Sequence, residues 1–504
     1  MTNAKNRQKK AKLNISITLL YQAVSAICGL IVPRILLRKY GSEAYGATTS
    51  ILQFLGYITL LEGGIGGVAR AALYKPLAEK SNEKISKVIF EIKKFFRIIA
   101  YIFCVYVIVL ACSFKTISHI EVLDWMSTFL LVVAISISTF AQYFIGISNS
   151  VLLQADQKSY IGNAISAVSL IANAILVSIL VSLGADLILV KFISSCVYAL
   201  KPVVLWLYVK HNYHLSSIKK SSGVLRDKWV GLGQHIAFFV HSNTDVLILT
   251  LFSNLKYVAV YSVYSMITSQ IQKFTSSFAS GMEAVYGDMY ARKEIRQLNA
   301  TFNLYETMIS FFSNILFSIT AVMIVPFVQI YTWGMTDINY VLPVFGVLLT
   351  AATYISCISS PYSSVVIAVG HFRQTRWAAY GEALINILVS IILVKNMGLI
   401  GVAIGTVVAT LYKLVYYAIY LRVNILKRDI KQFIIREITN VLTVAIIFLS
   451  GKYLLTLCEI SGYLQWALAA VAVAAFACIL TVIVNLIFYK KDFILLLKKI
   501  THRN

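Results

Sequence analysis

The chain has 504 residues, of which 59% are hydrophobic and 13% are charged, and its mean hydropathy is +0.78. This composition excludes an ordinary soluble domain and a disordered chain, and it predicts an all-α polytopic membrane protein. A formal net charge of +24 would suggest nucleic-acid binding in a soluble protein, but here the basic residues cluster at the ends of apolar segments.

Fourteen segments are apolar over the roughly 20 residues that a bilayer-spanning helix needs. We predict that each is a transmembrane helix, and because the number is even both termini lie on one side. The predicted segments are 13–38, 44–72, 95–114, 125–149, 159–181, 186–210, 229–252, 257–283, 303–329, 341–368, 374–396, 399–421, 437–457 and 464–488.

Lys and Arg are concentrated in every second connection between these segments. With the N-terminus in the cytoplasm, 33 of the 45 lie in cytoplasmic segments and five in outer loops. The positive-inside rule therefore predicts that both termini are cytoplasmic. These charges would contact anionic lipids and not nucleic acid. The amphipathic stretch 83–97 predicts an additional helix lying in the membrane interface.

Segment 2 carries features that an anchoring helix does not need. It contains Glu62, Arg70 and a run of glycines. Glycine weakens a helix by roughly 1 kcal/mol per site, and a charge at the bilayer centre costs roughly 2.5–3.5 kcal/mol. Either the glycines pack closely against another helix while Arg70 reaches the interface, or they form a hinge beside a polar path. The glycines are Gly63, Gly64, Gly66 and Gly67.

The predicted membrane interior has an excess of positive charge. Only three acidic residues, Glu62, Asp245 and Glu382, fall within spans. A water-filled cavity that receives an anion would accommodate this excess, whereas any single lysine could instead form a structural ion pair. The basic residues within spans are Arg34, Arg70, Lys191, Lys201, Lys273, Lys413 and Lys452.

Several titratable residues are candidates for coupling or gating. His241 and Asp245 lie four residues apart on one helical face, which suits either a proton relay or a buried pair that fixes helix packing. Glu62 and Glu382 are further candidates, although Glu382 could bond Arg373 or Arg376 instead. The coupling ion could be H⁺ or Na⁺. The seven cysteines lack metal-ligand spacing, and no cofactor is indicated.

Segments 1–6 resemble segments 7–12 at a nearly constant offset of about 212 residues, as for Asn173 with Asn386 and Lys201 with Lys413. This predicts two six-helix lobes in a pseudo-twofold parallel repeat, with a site between them, plus two extra C-terminal helices. The predicted divisions are an N-lobe at 1–210, a cytoplasmic linker at 211–228, a C-lobe at 229–421, and helices 13 and 14 with the tail at 422–504.

Four sequence motifs are similar to those of bacterial polysaccharide flippases of the O-antigen and capsule type. They are GLIVPRILLRKYGSEAYG at 29–46, LEGGIG at 61–66, GLGQH at 231–235 and GHFRQTR at 370–376. The resemblance covers segments 1–12. It implies the fold of the lipid II flippase and of multidrug and toxin extrusion transporters, and an undecaprenyl-diphosphate-linked oligosaccharide as cargo.

By this resemblance, Arg34, Arg70 and Lys273 correspond to cations that bind the diphosphate, and the mid-span Lys201 and Lys413 join them as candidates. The implied protein is a flippase of the bacterial cytoplasmic membrane that works by alternating access beside polysaccharide polymerase machinery. A multidrug exporter of the same fold is the first alternative, but its cavity should carry excess acid. A membrane polymerase or glycosyltransferase is the second, but the outer loops are too short for a catalytic domain and no catalytic motif occurs.

Overall fold

The computed structural model describes residues 2–63, 65–216, 218, 232–276, 279–426, 428–457 and 459–500. Most of them are helical, which confirms the predicted all-α class. The helices are α1 (Thr2–Gly56), α2 (Ile65–Ala78), α3 (Asn82–Ser118), α4 (Trp125–Ala141), α5 (Ile147–Ala155), α6 (Ser159–Ser182), α7 (Leu187–Asn212), α8 (Leu232–Phe252), α9 (Leu255–Ser276), α10 (Ala279–Ala291), α11 (Ile295–Tyr331), α12 (Pro343–Ile358), α13 (Ser360–Val369), α14 (Arg376–Met397), α15 (Leu399–Asn424), α16 (Ile430–Thr456), α17 (Tyr463–Phe488) and α18 (Lys490–Ile500).

Within the described residues, 11 stretches are long and apolar enough to cross a membrane, so this is a multi-pass membrane protein. One of them, at 12–62, contains predicted segment 1 and residues 44–62 of predicted segment 2. Gly41 interrupts helix α1 there with φ 82° and ψ 171°, a conformation that glycine adopts at little cost. Fourteen crossings, and the cytoplasmic position of the termini, remain predictions.

The chain divides into two compact units. Unit 1 comprises Met1–Phe239 and Asn254–Ala259, and unit 2 comprises Val240–Ser253 and Val260–Asn504. In unit 1, α1 packs against α6, and α4 against α7. In unit 2, α14 packs against α15, and α11 against α12, α16 and α17. The predicted lobe boundaries and the repeat symmetry stay predictions.

The interfacial helix predicted at 83–97 is wrong as a separate element. These residues form the beginning of the 37-residue helix α3, which starts at the N-cap Ser81. Its apolar face is buried within unit 1, with Ile89, Ile92 and Phe96 at most 2% exposed. The amphipathic pattern was correct, but the apolar face packs against neighbouring helices, including α2 and α5, and not against lipid headgroups.

Segment 2 does not continue as one α-helix. Helix α1 ends at Gly56, a 3₁₀ helix covers Tyr57–Glu62, and Gly63 follows in the left-handed conformation with φ 57°. Gly64 lies outside the described residues. An added Cβ would meet no described atom within 4 Å at Gly66 or Gly67, so close helix packing does not account for these two glycines. The hinge role of the run remains a prediction.

Unit 2 contains a second interruption, in predicted segment 10. Helix α12 ends at Ile358 and α13 begins at Ser360, next to Pro361. Proline lacks the N–H that would continue the helical hydrogen bonds. The hydroxyl of Ser363 donates to the carbonyl of Ser359 at 2.9 Å, which satisfies one carbonyl at the break.

Candidate functional site

Unit 1 contains a cavity of about 630 Å³. Its walls come from α1, the 3₁₀ helix Tyr57–Glu62, α4 to α7, and the π-helical turn Gln142–Gly146 that joins α4 to α5. Many of its lining side chains are polar or aromatic. Those with charged, amide or phenol groups include Glu62, Gln142, Tyr143, Gln154, Tyr198 and Lys201.

Glu62 is held at the cavity wall by Tyr143. The Tyr143 hydroxyl donates a hydrogen bond to Oε1 of Glu62. The ring of Tyr143 is 4% exposed and lies between Phe96 and Phe103, with ring centroids 6.3 Å and 6.2 Å away. A buried phenol is costly unless its hydroxyl is bonded, so this contact fixes both Tyr143 and the predicted coupling residue Glu62.

Lys201 and Lys413, which the internal repeat pairs, have different surroundings. Lys413 on α15 forms a salt bridge of 3.0 Å with Glu382 on α14, and the two side chains are 22% and 4% exposed. At the offset of 213 residues that pairs Asn173 with Asn386 in the same two helices, unit 1 has Ser169 where unit 2 has Glu382, and Ser169 lines the cavity together with Lys201. Lys413 therefore balances a buried carboxylate in unit 2, whereas the matching lysine of unit 1 lies at a cavity.

Asp245 on α8 is part of a cluster of oxygen atoms inside unit 2. The hydroxyl of Thr406 lies 3.0 Å from Oδ2 of Asp245 and 3.1 Å from the Val402 carbonyl. The Asn386 amide nitrogen lies 3.5 Å from Oδ1 of Asp245. The amide oxygen of Asn386 is buried without a hydrogen-bond partner among the described residues. Carboxylate, hydroxyl and carbonyl oxygens are the ligands that hard cations prefer.

His241, the predicted partner of Asp245, has a side chain outside the described part of the structure. The Tyr261 hydroxyl instead donates to Oδ2 of Asp245 at 2.9 Å. Within the described residues there is no group of three or more His, Cys, Asp and Glu that could hold a metal ion. The Asp245 cluster differs from such a site because its other oxygens are neutral, and that composition suits a monovalent cation.

The three cations predicted to bind diphosphate lie in different surroundings. Arg34 is half-buried on α1, in unit 1. Arg70 is exposed on α2 of the same unit and donates to Oε1 of Gln154 at 3.1 Å. Lys273 is exposed in the last turn of α9, in unit 2. Residues 277 and 278, which follow α9, lie outside the described part of the structure, so the predicted mid-span position of Lys273 stays a prediction.

A buried ion network in unit 2 escaped the sequence analysis. Arg428 and Arg436 lie 2.7 Å and 3.2 Å from Oε2 of Glu306, which is 2% exposed, and the Tyr362 hydroxyl donates to Oε1. Glu306 falls inside predicted segment 9, so the count of three in-span acids was too low. An acid inside an apolar segment requires a partner, so the position of Glu306 within segment 9 could have indicated a buried ion pair.

A second cluster, in unit 1, surrounds Asp156 in the turn after α5. Its carboxylate lies 3.2 Å from Lys10 and 2.7 Å from Lys158, and it accepts a hydrogen bond from the Tyr213 hydroxyl. Burial alone would raise the pKa of Asp156, but the hydrogen bonds from Lys158 and Tyr213 and the two nearby ammonium charges lower it. Lys10 and Lys158 had been assigned only to the general positive charge of the cytoplasmic side.

The fold of this chain is similar to that of solved structures of membrane proteins. The lipid II flippase MurJ in an inward closed conformation aligns with a TM-score of 0.69 and 16% identity over 94% of this chain and 100% of that chain. An inward-facing multidrug resistance MATE family transporter of the MOP superfamily aligns with a TM-score of 0.60 and 15% identity, over 81% of this chain and 98% of that chain.

The MATE multidrug transporter DinF-BH aligns with a TM-score of 0.58 and 16% identity, over 82% of this chain and 95% of that chain. No protein-family model matches the sequence. A comparison with curated proteins found no match either. TM-scores of 0.58–0.69 show that the chain shares its fold with these flippase and exporter structures, at identities of only 15–16%.

Proposed function

We propose that this protein is a flippase that moves an undecaprenyl-diphosphate-linked oligosaccharide from the inner to the outer leaflet of the bacterial cytoplasmic membrane. It would work by alternating access and serve the assembly of a surface polysaccharide of the O-antigen or capsule type. In this proposal it carries cargo without catalysing a covalent step. Anionic lipids contact its cytoplasmic charges, and a polysaccharide polymerase takes over the cargo outside.

The observation that carries this proposal is the extent of the structural match. The flippase aligns over 94% of this chain, whereas the two exporters align over 81% and 82%. A larger part of this chain therefore has a structural counterpart in the flippase than in either of those two exporters. The excess of basic over acidic residues within the predicted spans points in the same direction, because a diphosphate requires cations and a cationic drug requires acids.

We assign the diphosphate to Arg34, Arg70 and Lys273. Arginine can grip a phosphate with two hydrogen bonds, and lysine contributes a point charge. Lys413 is excluded from this set because it already balances Glu382, and Lys201 is assigned to the cavity of unit 1. The sugars cross through a wet path while the polyprenyl tail stays in lipid.

Two energy sources fit this assignment. Moving about two negative charges outward across an inside-negative potential of about 100 mV gains roughly 4–5 kcal/mol. In addition, the oxygen cluster around Asp245 is our candidate site for a coupling Na⁺ or H⁺. For Na⁺, the wild-type protein should resist thermal unfolding better in NaCl than in KCl, and Asp245→Asn should abolish that difference. A difference that persists in Asp245→Asn would contradict this assignment.

Complementation of a bacterial strain that lacks its polysaccharide flippase tests the function. The wild-type gene should restore polymer at the cell surface, Lys273→Arg should keep this activity, and Lys273→Glu should lose it because a carboxylate repels the diphosphate. Lys395→Glu is the matched control, since Lys395 lies in the last turn of α14 and has no assigned role.

Full complementation by Lys273→Glu at equal protein level would contradict the assignment of the diphosphate. The alternative function, a cation-coupled multidrug exporter, predicts a different outcome. In that case the wild-type gene would fail to restore polymer, and it would raise the resistance of an exporter-deficient strain to lipophilic cations.

A further inference from the structure

We propose that the cavity of unit 1 is a sugar-binding subsite that holds a neutral pyranose ring. This inference rests on the proposed function and deepens it, because it assigns a place and a chemistry to the sugar end of the cargo. The diphosphate cations Arg34, Arg70 and Lys273 are not among the residues that line the cavity. Arg70 does donate a hydrogen bond to the lining residue Gln154, so the subsite adjoins the proposed diphosphate site without sharing its cations.

The backbone around the cavity is unusually irregular for an apolar membrane segment. The 3₁₀ helix Tyr57–Glu62 and the π-helical turn Gln142–Gly146 both contribute lining residues. Irregular backbone at membrane depth is tolerated where it is buried in protein or lines a polar cavity, and π-helical turns are frequent at functional sites. Two such irregularities bordering one cavity indicate a binding site and not a packing defect.

The lining chemistry matches a sugar. A pyranose carries hydroxyl groups around its rim, which pair with amides and carboxylates, and apolar C–H groups on its faces, which pack on aromatic rings. The cavity offers the amides of Gln142 and Gln154, the carboxylate of Glu62, and the rings of Tyr21 and Tyr198. A volume of about 630 Å³ lies within the range of roughly 300–1,000 Å³ typical of small-ligand sites.

Gln142 is positioned for this purpose. Its side chain lies directly over Gly146, where an added Cβ would be 2.6 Å from the Gln142 amide oxygen. Gly146 therefore creates the space that the amide occupies, and the π-helical turn brings the two residues together. A preset amide binds a hydroxyl with little loss of side-chain freedom.

The charge of the cavity selects a neutral ligand. Among the described residues, its walls carry one carboxylate, Glu62, and one ammonium group, Lys201, and no other Asp, Glu, Lys or Arg. A diphosphate would meet the repulsion of Glu62, and an organic cation would meet that of Lys201. A neutral ring with several hydroxyls can instead accept a hydrogen bond from the ammonium and donate one to the carboxylate.

Protection of a single cysteine from chemical labelling tests the proposal. Ser166 lines the cavity, so Ser166→Cys in a background without the seven native cysteines places a thiol there. The protein is reconstituted in lipid nanodiscs, because common detergents carry sugar headgroups. Methyl glycosides of glucose, galactose and their N-acetylamino forms are the probes. At least one should slow labelling by a small hydrophilic reagent severalfold, and sorbitol, an acyclic polyol, should not.

Three controls make the result specific. Val122→Cys, at an exposed position outside the cavity, should label at the same rate with and without glycoside. Gln142→Ala should weaken the protection about three- to tenfold, the usual effect of one lost hydrogen bond. Gln432→Ala removes an exposed amide in unit 2 and should leave the protection unchanged.

Protection by tetraphenylphosphonium alone, equal protection by sorbitol, or no protection by any of the glycosides up to their solubility would each overturn the proposal. These outcomes are separate from a failure of the flippase function, because binding is measured without translocation. If the glycosides bind and complementation fails, the subsite stands and the flippase assignment falls. If complementation succeeds and no glycoside protects the thiol, the flippase assignment stands and the sugar-binding subsite is refuted.

Discussion

The ion pair between Lys413 and Glu382 gives the sharpest test of how this protein accommodates charge within its spans. The carboxylate of Glu382 is 4% exposed and the ammonium of Lys413 lies 3.0 Å away. Lys413→Met should destabilise the protein by about 3–5 kcal/mol, because it leaves a buried carboxylate without its cation. Glu382→Leu should also destabilise the protein, because it leaves the ammonium group of Lys413 without its carboxylate. The double variant should recover most of the loss, because it removes both buried charges together.

The assay is unfolding in mixed micelles for stability, with complementation at matched protein level for function. If the pair is structural, the double variant should restore both folding and polymer export. Lys201→Met is the matched control, because at the corresponding offset unit 1 has Ser169 and no carboxylate. It should change stability by less than about 1 kcal/mol, as for a surface charge. A double variant that folds like the wild type and exports no polymer would refute this reasoning and return Lys413 to the set of substrate cations.

Three further predictions concern unit 1. Arg70→Lys should retain part of the polymer export, because lysine keeps the positive charge but cannot form the bidentate hydrogen bonds of arginine. Arg70→Gln should lose most of the export, because it removes the charge. Complementation measures both variants. Gly63→Ala should destabilise the protein by about 1–2 kcal/mol, because Gly63 has a left-handed backbone with φ 57°. Gly66→Ala should be tolerated, because its added Cβ would meet no described atom within 4 Å. Thermal unfolding measures both effects. Because the pKa of Asp156 is lower in the folded protein, its carboxylate should stabilise the fold at pH values above about 3.9, the pKa in the unfolded chain. This stabilisation should be lost as the pH falls through the folded pKa. Asp156→Asn should remove the acid-dependent loss, which unfolding measured against pH would show.

The sequence predicted the local features of the fold well. Apolar segments located the helices, and the glycine run marked the stretch in which α1 gives way to a 3₁₀ helix and a left-handed Gly63. Each of these depends on residues close together in the chain. The ends of the helices were less accurate, because a buried amphipathic face continues α3 beyond its apolar window. Glu306, near the beginning of α11, was missed for another reason: it lies inside predicted segment 9 but was not counted among the acids within spans.

The partners of the charged residues could not be predicted, because they lie far away in the chain. Glu306 and Arg428 are 122 residues apart, and Glu62 and Tyr143 are 81 apart. Such contacts follow from how whole helices pack, which periodicity does not specify. The nearly constant offset of the predicted repeat even suggested equal roles for Lys201 and Lys413, although Ser169 stands in unit 1 where unit 2 has the acid Glu382.

That difference explains why a repeat of similar helices can have two kinds of charged residue. A buried lysine beside a buried carboxylate is neutralised, so the pair contributes to packing and has little remaining attraction for a ligand. Where a serine occupies the position of that carboxylate, the lysine must obtain its remaining hydrogen bonds elsewhere, either from water or from a ligand. In unit 1 the replacement coincides with a cavity, two stretches of irregular backbone and a second charge at Glu62. We therefore expect ligand selectivity to change with substitutions around Lys201, and stability to change with those around Lys413.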